Sequence, residues 1–194
     1  MSKRLLGPTT DLFPMPALLI AVRTGEGTAN LLSIAWASIA GGSPPLIGIH
    51  VARTHFSTPH IRRERSFTVN VPSSRLHVAV DYCGIVSGRK DPNKGQTAGL
   101  TLVTASKVSA PLVAECPLNF ECVLEQELEM GGGLLFVGQV VETHADEEVL
   151  DSKGRIVTEK LDPLVFLPNS EYRRLGEFVA KAFSVGEQLK RKGG

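Results

Sequence analysis

Two hydroxyls, Ser57 and Thr58, stand ahead of Pro59 and a short arginine-rich stretch, Arg62-Arg63-Glu64-Arg65. A hydroxyl here suits a helix start, and the first N–H groups of a helix have no partner within it, so they favour an anion. Thr58 reads as the cap and Pro59 as the first helical residue. Arg53 and Lys94 could add positive charge to such a site. Upstream, Asn30, Ser33, Ala35 and Trp36 belong to an apolar stretch. Asn30 can both donate and accept, and Trp36 offers a flat ring. An apolar wall next to an anion site suits a planar, amphipathic, phosphorylated ligand. Plainer roles fit the same residues: a core tryptophan, a turn asparagine, an ordinary helix cap, and solvated surface cations.

Other chemistries find little support. There is no GxSxG elbow, no GxGxxG after a strand and no GxxxxGK[ST] loop, so hydrolase, Rossmann and P-loop sites are not indicated. His50, His55 and His60 recur every five residues, which matches neither a helix face nor the HExxH zinc pattern, and no metal is expected. His77 and Asp81 stand four apart on a predicted helix and read as a local hydrogen-bonded pair. Glu121, Glu125, Glu127 and Glu129 share one face of a predicted strand, read as a solvated outer face. Cys83, Cys116 and Cys122 are odd in number and form no CxxC, which argues against disulfides and zinc ribbons and for buried thiols.

These residues must be positioned by a chain rich in strand patterns. Ala17 to Arg23 is an apolar strand ending in a Thr-Gly-Glu-Gly turn, and Thr28 to Ile39 continues as strand until Gly41 to Pro45 break it. Leu46 to Val51 reads as a central strand, Thr58 to Arg65 as a short helix, and Ser66 to Val71 as an alternating strand. A second helix is expected over Arg75 to Cys83, closed by Gly84. Gly84 to Gly99 is a polar loop long enough to be functional. Leu118 to Met130 and Leu134 to His144 form a long hairpin around Gly131-Gly132-Gly133. Glu142 to Asp151 is acidic and expected to be exposed, and Asp162-Pro163 leads into a short strand, Leu164 to Leu167. In the tail, Phe178, Val179, Ala182 and Phe183 have helical spacing, and the last residues, Lys190 onward, are expected to fray. Many strands, few helices and no βαβ alternation predict a mainly β protein, an antiparallel barrel with helical insertions, as one domain spanning 1–194.

Composition narrows the class further. With 194 residues, 42% hydrophobic and 21% charged, the chain can build a substantial core. Its net charge of +1 does not advertise the basic face that nucleic acid usually needs, and Arg62, Arg63 and Arg65 form only a local basic patch. Gly7, Pro8, Asp11, Pro14 and Pro16 interrupt any apolar leader, and Ala17 to Val22 is too short for a membrane span. A cytoplasmic location, without nucleic-acid or membrane partners, is the expectation.

An ordered set of residues adds a resemblance. It runs Pro14-x-Pro16, Gly27, Asn30, Trp36 and Pro44-Pro45, then Ser57 and Phe67-x-Val69-Asn70. Cys83-Gly84-x-x-Ser87-Gly88-x-x-Asp91 follows, with Lys94, Glu121-Cys122 and Phe136-x-Gly138-x-Val140. This resembles the flavin reductase-like, FMN-binding split-barrel family, nearest the flavoredoxin type, from about Phe13 to Gly176. The resemblance implies a Greek-key split β-barrel that dimerises and holds FMN near the subunit interface. It implies Asn30 and Ser33 at the isoalloxazine edge or ribityl chain, Ala35 and Trp36 along the ring, and Arg53 and Ser57 at the phosphate. Lys94 would lie close to the flavin or its phosphate, and Phe166 would be an aromatic neighbour. The chain departs from the pattern at Ser57, where relatives often have Thr. It has Gly133 where many have His, and Gln139 where Glu is frequent.

The implied activity is that of an oxidoreductase carrying hydride or electrons from NAD(P)H through FMN to free flavin or a redox protein. Its alternatives are a non-enzymatic FMN electron carrier reduced by a protein partner and a cofactor-free β-barrel binding module. Aromatics of only 6% and balanced charge speak against the last. Cys83 is a redox-thiol candidate, although a buried thiol at a helix end is the plainer reading.

Overall fold

In the computed structural model, which describes residues 2–190, alternation builds the first hairpin. β1 (Met15–Pro16) leads into β2 (Leu18–Gly25), which pairs antiparallel with β3 (Thr28–Ile34). Leu18, Ile20 and Val22 face one apolar cluster, while Ala17, Leu19 and Ala21 face another. Both faces of β2 are therefore covered, which explains an apolar run where a half-exposed strand would alternate with polar residues.

The expected single strand Thr28 to Ile39 is in fact two. β3 stops at Ile34 and β4 (Ala37–Gly42) begins after Ala35-Trp36. β4 pairs with β5 (Pro45–Ala52) and not with β2. The sheet order is β3-β2-β6-β9-β10-β5-β4, so consecutive strands lie on opposite edges of one antiparallel sheet. A short link can join opposite edges only if the sheet curls until they meet. Ala35 and Trp36 sit at that seam, and the architecture is a split β-barrel, mainly β with short helices.

α1 (Ser57–Glu64) follows β5 and buries Ile61 in the barrel-side cluster. Thr58 does not cap it. Phe56 occupies the N-cap position, Pro59 is the third helical residue, and the Thr58 hydroxyl donates to the Ala52 carbonyl at 2.9 Å. A satisfying acceptor on the preceding strand outcompetes the helix N–H groups for that hydroxyl.

β6 (Ser66–Val71) lies inside the sheet. α2 (His77–Ile85), entered through a 3-10 turn at Ser74–Leu76, and the short α3 (Lys94–Thr97) cover the other face of β2 and β3. Gly84 does not end α2, which runs on to Ile85, and α3 lies within the expected loop. His77 and Asp81 do not pair: the His77 Nδ1 is 3.0 Å from the Ser74 carbonyl, and Asp81 accepts from the Tyr172 hydroxyl at 3.3 Å.

β7 (Leu102–Val103) and β8 (Leu112–Val113) form a two-stranded flap. β9 (Leu118–Met130) and β10 (Gly133–Ala145) make the long hairpin. Gly131 and Gly132 turn it with φ of +57° and +78°, a conformation that favours glycine, while Gly133 already belongs to the strand.

Glu121 departs most from expectation. It shares the outward face of β9, yet the 104–109 segment covers it completely. Its carboxylate accepts N–H groups from Ser106, Lys107 and Val108 at 2.6–3.0 Å and the Ser106 hydroxyl at 2.8 Å. The His144 Nε2 completes the set at 2.7 Å. Burial opposes the charge, but these donors prevail and hold the carboxyl down at about 2.

Within the acidic stretch after β10, Val149 is buried beside Leu118 and Leu161, the latter from α4 (Thr158–Leu161). β11 (Val165–Leu167) pairs with β1 and with β12 (Glu171–Arg173). The helical spacing of the tail does not produce a helix there. Phe178, Val179 and Phe183 are exposed, and only α5 (Glu187–Lys190) forms. An isolated short helix is marginal in water when its apolar side chains stay exposed, as these do. Residues 191–194, where fraying is expected, lie outside the described residues.

Candidate functional site

The seam between β3 and β4 brings three of the candidate residues together, Ser33, Ala35 and Trp36. A cleft of about 390 Å3 opens there, lined by Ser33, Ala35, Trp36, His50, His55 and the 131–133 turn. Trp36 is 49% exposed, so it is a wall of the cleft and not a core residue. The backbone holds it in place, because the His50 N–H donates to the Trp36 carbonyl at 2.8 Å. The His50 ring stands against the indole with centroids 5.3 Å apart. Its Nε2 reaches the Met130 carbonyl at 3.0 Å, which requires the proton on that nitrogen. A larger apolar cleft of about 630 Å3 lies on the other side of the same pair, where Leu12 and Met15 meet Leu135.

His50 also accounts for Gly133. A Cβ at position 133 would stand 2.5 Å from the His50 ring and 2.9 Å from the Val51 carbonyl, so no side chain fits while that ring stays put. The imidazole beside the hairpin turn therefore comes from β5.

Strand alternation puts Asn30 on the same face of β3 as Leu32 and Ile34, and Ser33 on the opposite face with Leu31. Asn30 is 4% exposed and donates to the Ser57 hydroxyl at 2.7 Å, joining β3 to the start of α1. The other amide atom, Oδ1, is buried without a partner. A buried acceptor left without a donor costs about 1–3 kcal/mol.

The loop after α2 closes over this corner. A Cβ on Gly88 would lie 2.2 Å from the Asn30 Oδ1 and 2.6 Å from the Phe56 ring, so only glycine permits the approach. Arg89 extends across Phe56, its guanidinium carbon 5.5 Å from the ring centre, and donates to the Thr54 carbonyl at 3.3 Å. Lys94 anchors the loop from behind. It is 3% exposed, and its Nζ donates to the carbonyls of Cys83 at 2.8 Å and Val86 at 2.6 Å, near the C-terminal end of α2. Burial pushes the ammonium below its ordinary range, while Cys83 and Asp91 act in the opposite sense.

Two sequence candidates stand apart. Arg53 is exposed and paired with Glu129 at 2.7 Å. Phe166 lines neither cleft; it packs edge-on against Tyr172, centroids 5.8 Å apart, beside the helix-side cluster. The three cysteines are buried and free. Burial raises the Cys83 thiol to about 11 and Cys122 to about 12, and also raises Cys116, which disfavours thiolate chemistry. Among the described residues, no group of three or more His, Cys, Asp or Glu could hold a metal, and no helix is long and apolar enough to cross a membrane.

Sequence reasoning missed His50, Gly88 and Arg89 as parts of this corner. The regular histidine spacing drew attention to metals, whereas His50 matters through its place on β5 opposite the hairpin turn. Gly88 and Arg89 lay in a loop recognised as functional, without a partner assigned to either.

Comparison with known proteins agrees with this geometry. The fold matches flavoredoxin of Desulfovibrio vulgaris (Miyazaki F) with a TM-score of 0.90 and 33% identity, over 95% of this chain and 100% of that one. It matches flavoredoxin from Methanosarcina acetivorans with a TM-score of 0.89 and 30% identity, over 97% and 100%. An uncharacterized protein of Archaeoglobus fulgidus is 34% identical over 136 residues, 70% of this chain and 75% of its own. The model of the flavin reductase like domain matches residues 10–176, and with the seam, the hairpin and the Asn30 corner in place the chain belongs to the flavin reductase-like family.

Proposed function

We propose that this chain binds FMN in the seam cleft and acts as a flavin reductase or flavoredoxin-like oxidoreductase. Hydride or electrons pass from NAD(P)H through the flavin to an acceptor, either free flavin or a redox protein. The observation that carries the reading is the cleft at the seam, walled by the half-exposed Trp36 with Ser33 and Ala35 beside it. FMN combines a flat amphipathic ring with a phosphate, and the donor set fits both parts. Trp36 and Ala35 offer apolar surface to the ring, and Asn30 and Ser33 offer polar groups to its edge or to the ribityl chain. Ser57 and Lys94 suit the phosphate end. The flavin supplies two-electron and one-electron redox chemistry when bound. The protein's part is to orient it and to exclude water from one face with the Trp36–His50 pair. A buried ammonium at Lys94 and N–H donors would favour negative charge on a bound ligand. The same reading takes 1–194 as one domain, working in the cytoplasm as a homodimer, with Phe166 outside the first layer around the ring.

The test is direct. Purified protein should be yellow, or should bind added FMN with micromolar or tighter affinity by fluorescence quenching. Colourless protein that ignores FMN would overturn the reading. Steady-state NAD(P)H oxidation with free flavin then separates the two redox roles: turnover marks a reductase, and bound FMN without turnover marks an electron carrier served by a protein partner.

A further inference from the structure

We propose that the larger cleft beyond the Trp36–His50 pair takes a flat, uncharged ring compound of the quinone type, which serves as a small acceptor for the flavin's electrons; the acceptor role rests on the FMN reading above. The two clefts meet at one wall. Ala35, Trp36 and His50 line both, so a ligand in the larger one stands next to whatever the seam holds. Its volume of about 630 Å3 is that of a small-molecule site. A pocket of this size that shares a wall with the seam suits a small ligand better than a protein surface.

The lining sets the chemistry. Leu12, Met15, Ala37 and Leu135 supply apolar walls. Gly48 keeps one of them flat, since a Cβ there would stand 3.3 Å from the Leu135 side chain. No Lys or Arg lines the cleft, and the one carboxylate is Asp11. The pyrophosphate of a nicotinamide dinucleotide calls for cations, and an organic anion would meet Asp11 with no counter-charge, so neither belongs here. Uncharged donors are present instead. The hydroxyls of Thr10 and Ser38 make no side-chain hydrogen bond among the described residues, and that of Thr9 only accepts, from the Asp11 N–H at 3.0 Å. The His50 Nε2–H is already given to the Met130 carbonyl, so these hydroxyls are the donors left for a ligand. They match the carbonyl oxygens of a quinone. The reaction balances without a further reagent. The dihydro form of the flavin gives up two electrons and two protons, the two quinone carbonyls become hydroxyls, and oxidised flavin and hydroquinone remain.

Equilibrium dialysis of the full chain tests the assignment with menadione, a neutral naphthoquinone, and lawsone, the same ring system with an acidic hydroxyl that is ionised at neutral pH. The cysteines are buried, so menadione meets no exposed thiol. The parent should bind menadione about tenfold or more tightly than lawsone, because the anion would lose its hydration to a cleft without a cation. Saturating FMN should leave menadione bound. Ser38 is exposed on the edge strand β4, where lysine is tolerated. Ser38→Lys should therefore cut the preference to about a third or less, and Ser38→Gln should leave it within about twofold. Equal affinity for the two rings, binding of neither, displacement of menadione by FMN, or a preference that Ser38→Lys does not move would each overturn the site. In FMN-loaded protein reduced without oxygen, menadione should restore the oxidised flavin spectrum. Ser38→Trp, which fills the cleft, should slow that return about tenfold, and equal rates would remove the acceptor role. A parent that fails to bind FMN but keeps a menadione preference sensitive to Ser38→Lys would remove the functional reading and the acceptor role, and leave the pocket.

Discussion

Two buried polar clusters in this barrel are built from similar parts and finished differently. Around Glu121, each carboxylate oxygen has donors: three backbone N–H groups, a hydroxyl and an imidazole. Around Asn30, one amide atom is bonded to Ser57 and the other, packed under Gly88, has no hydrogen-bond partner. The first cluster is closed and gains nothing from a ligand, so its role is to clamp the 104–109 segment onto β9. The second is incomplete without being open, because Gly88 closes over the amide. Being buried and polar does not by itself mark a site.

Substitutions can break or sharpen this contrast. The largest effect is expected from Glu121→Ala, which strips several buried donors of their acceptor and should cost about 3–5 kcal/mol in urea unfolding. FMN bound per folded molecule should stay as in the parent, and a specific loss of FMN would erase the distinction between the clusters. Acid should act on the same clamp. With the Glu121 carboxyl held at about 2 in the folded state, below its ordinary value, the stabilisation is full above the unfolded pKa. It is lost as the pH falls from there toward 2, a decline of up to about 3 kcal/mol that Glu121→Gln should flatten in acid-unfolding curves.

Gly88→Ala comes next. Its methyl would collide with Asn30 and Phe56, so the loop must move, and a cost of about 1–3 kcal/mol is expected. FMN affinity should fall with it, and unchanged affinity by fluorescence titration would separate the loop from the site. Smallest in stability is Trp36→Ala. A half-exposed ring should cost under about 1 kcal/mol in thermal unfolding, yet FMN should bind about tenfold more weakly. Lys94→Ala should also lower FMN retention, and if both variants hold flavin like the parent, the seam is not the site.

Much of the fold was legible locally. Ser66–Val71 and Leu118–Met130 appear with the bounds read from the sequence, although Ser66–Val71 is buried on both faces. The glycine turn of the long hairpin was legible for the same local reason, as positive φ favours glycine. Errors arose where a distant partner decided the outcome. Thr58 found an acceptor in Ala52 and left the cap. Glu121 found the 104–109 segment and left the solvent. The helical spacing of the tail found no surface to cover. The resemblance put forward Asn30, Trp36, Ser57, Lys94 and Arg53 alike, and only the structure shows that Arg53 is paired with Glu129.

The sequence by itself determined the mainly β class, the long hairpin, the buried free thiols and the family. Those follow from side-chain alternation, turn chemistry and residue order, all of which act over a few neighbours. Only the tertiary structure decided that Ala35 and Trp36 form the seam, that His50 occupies the space beside Gly133, and which cations remain uncommitted. Curling one sheet until its edges meet joins residues far apart in the chain, and whether a charge or an amide is satisfied depends on groups that such closure alone brings within reach.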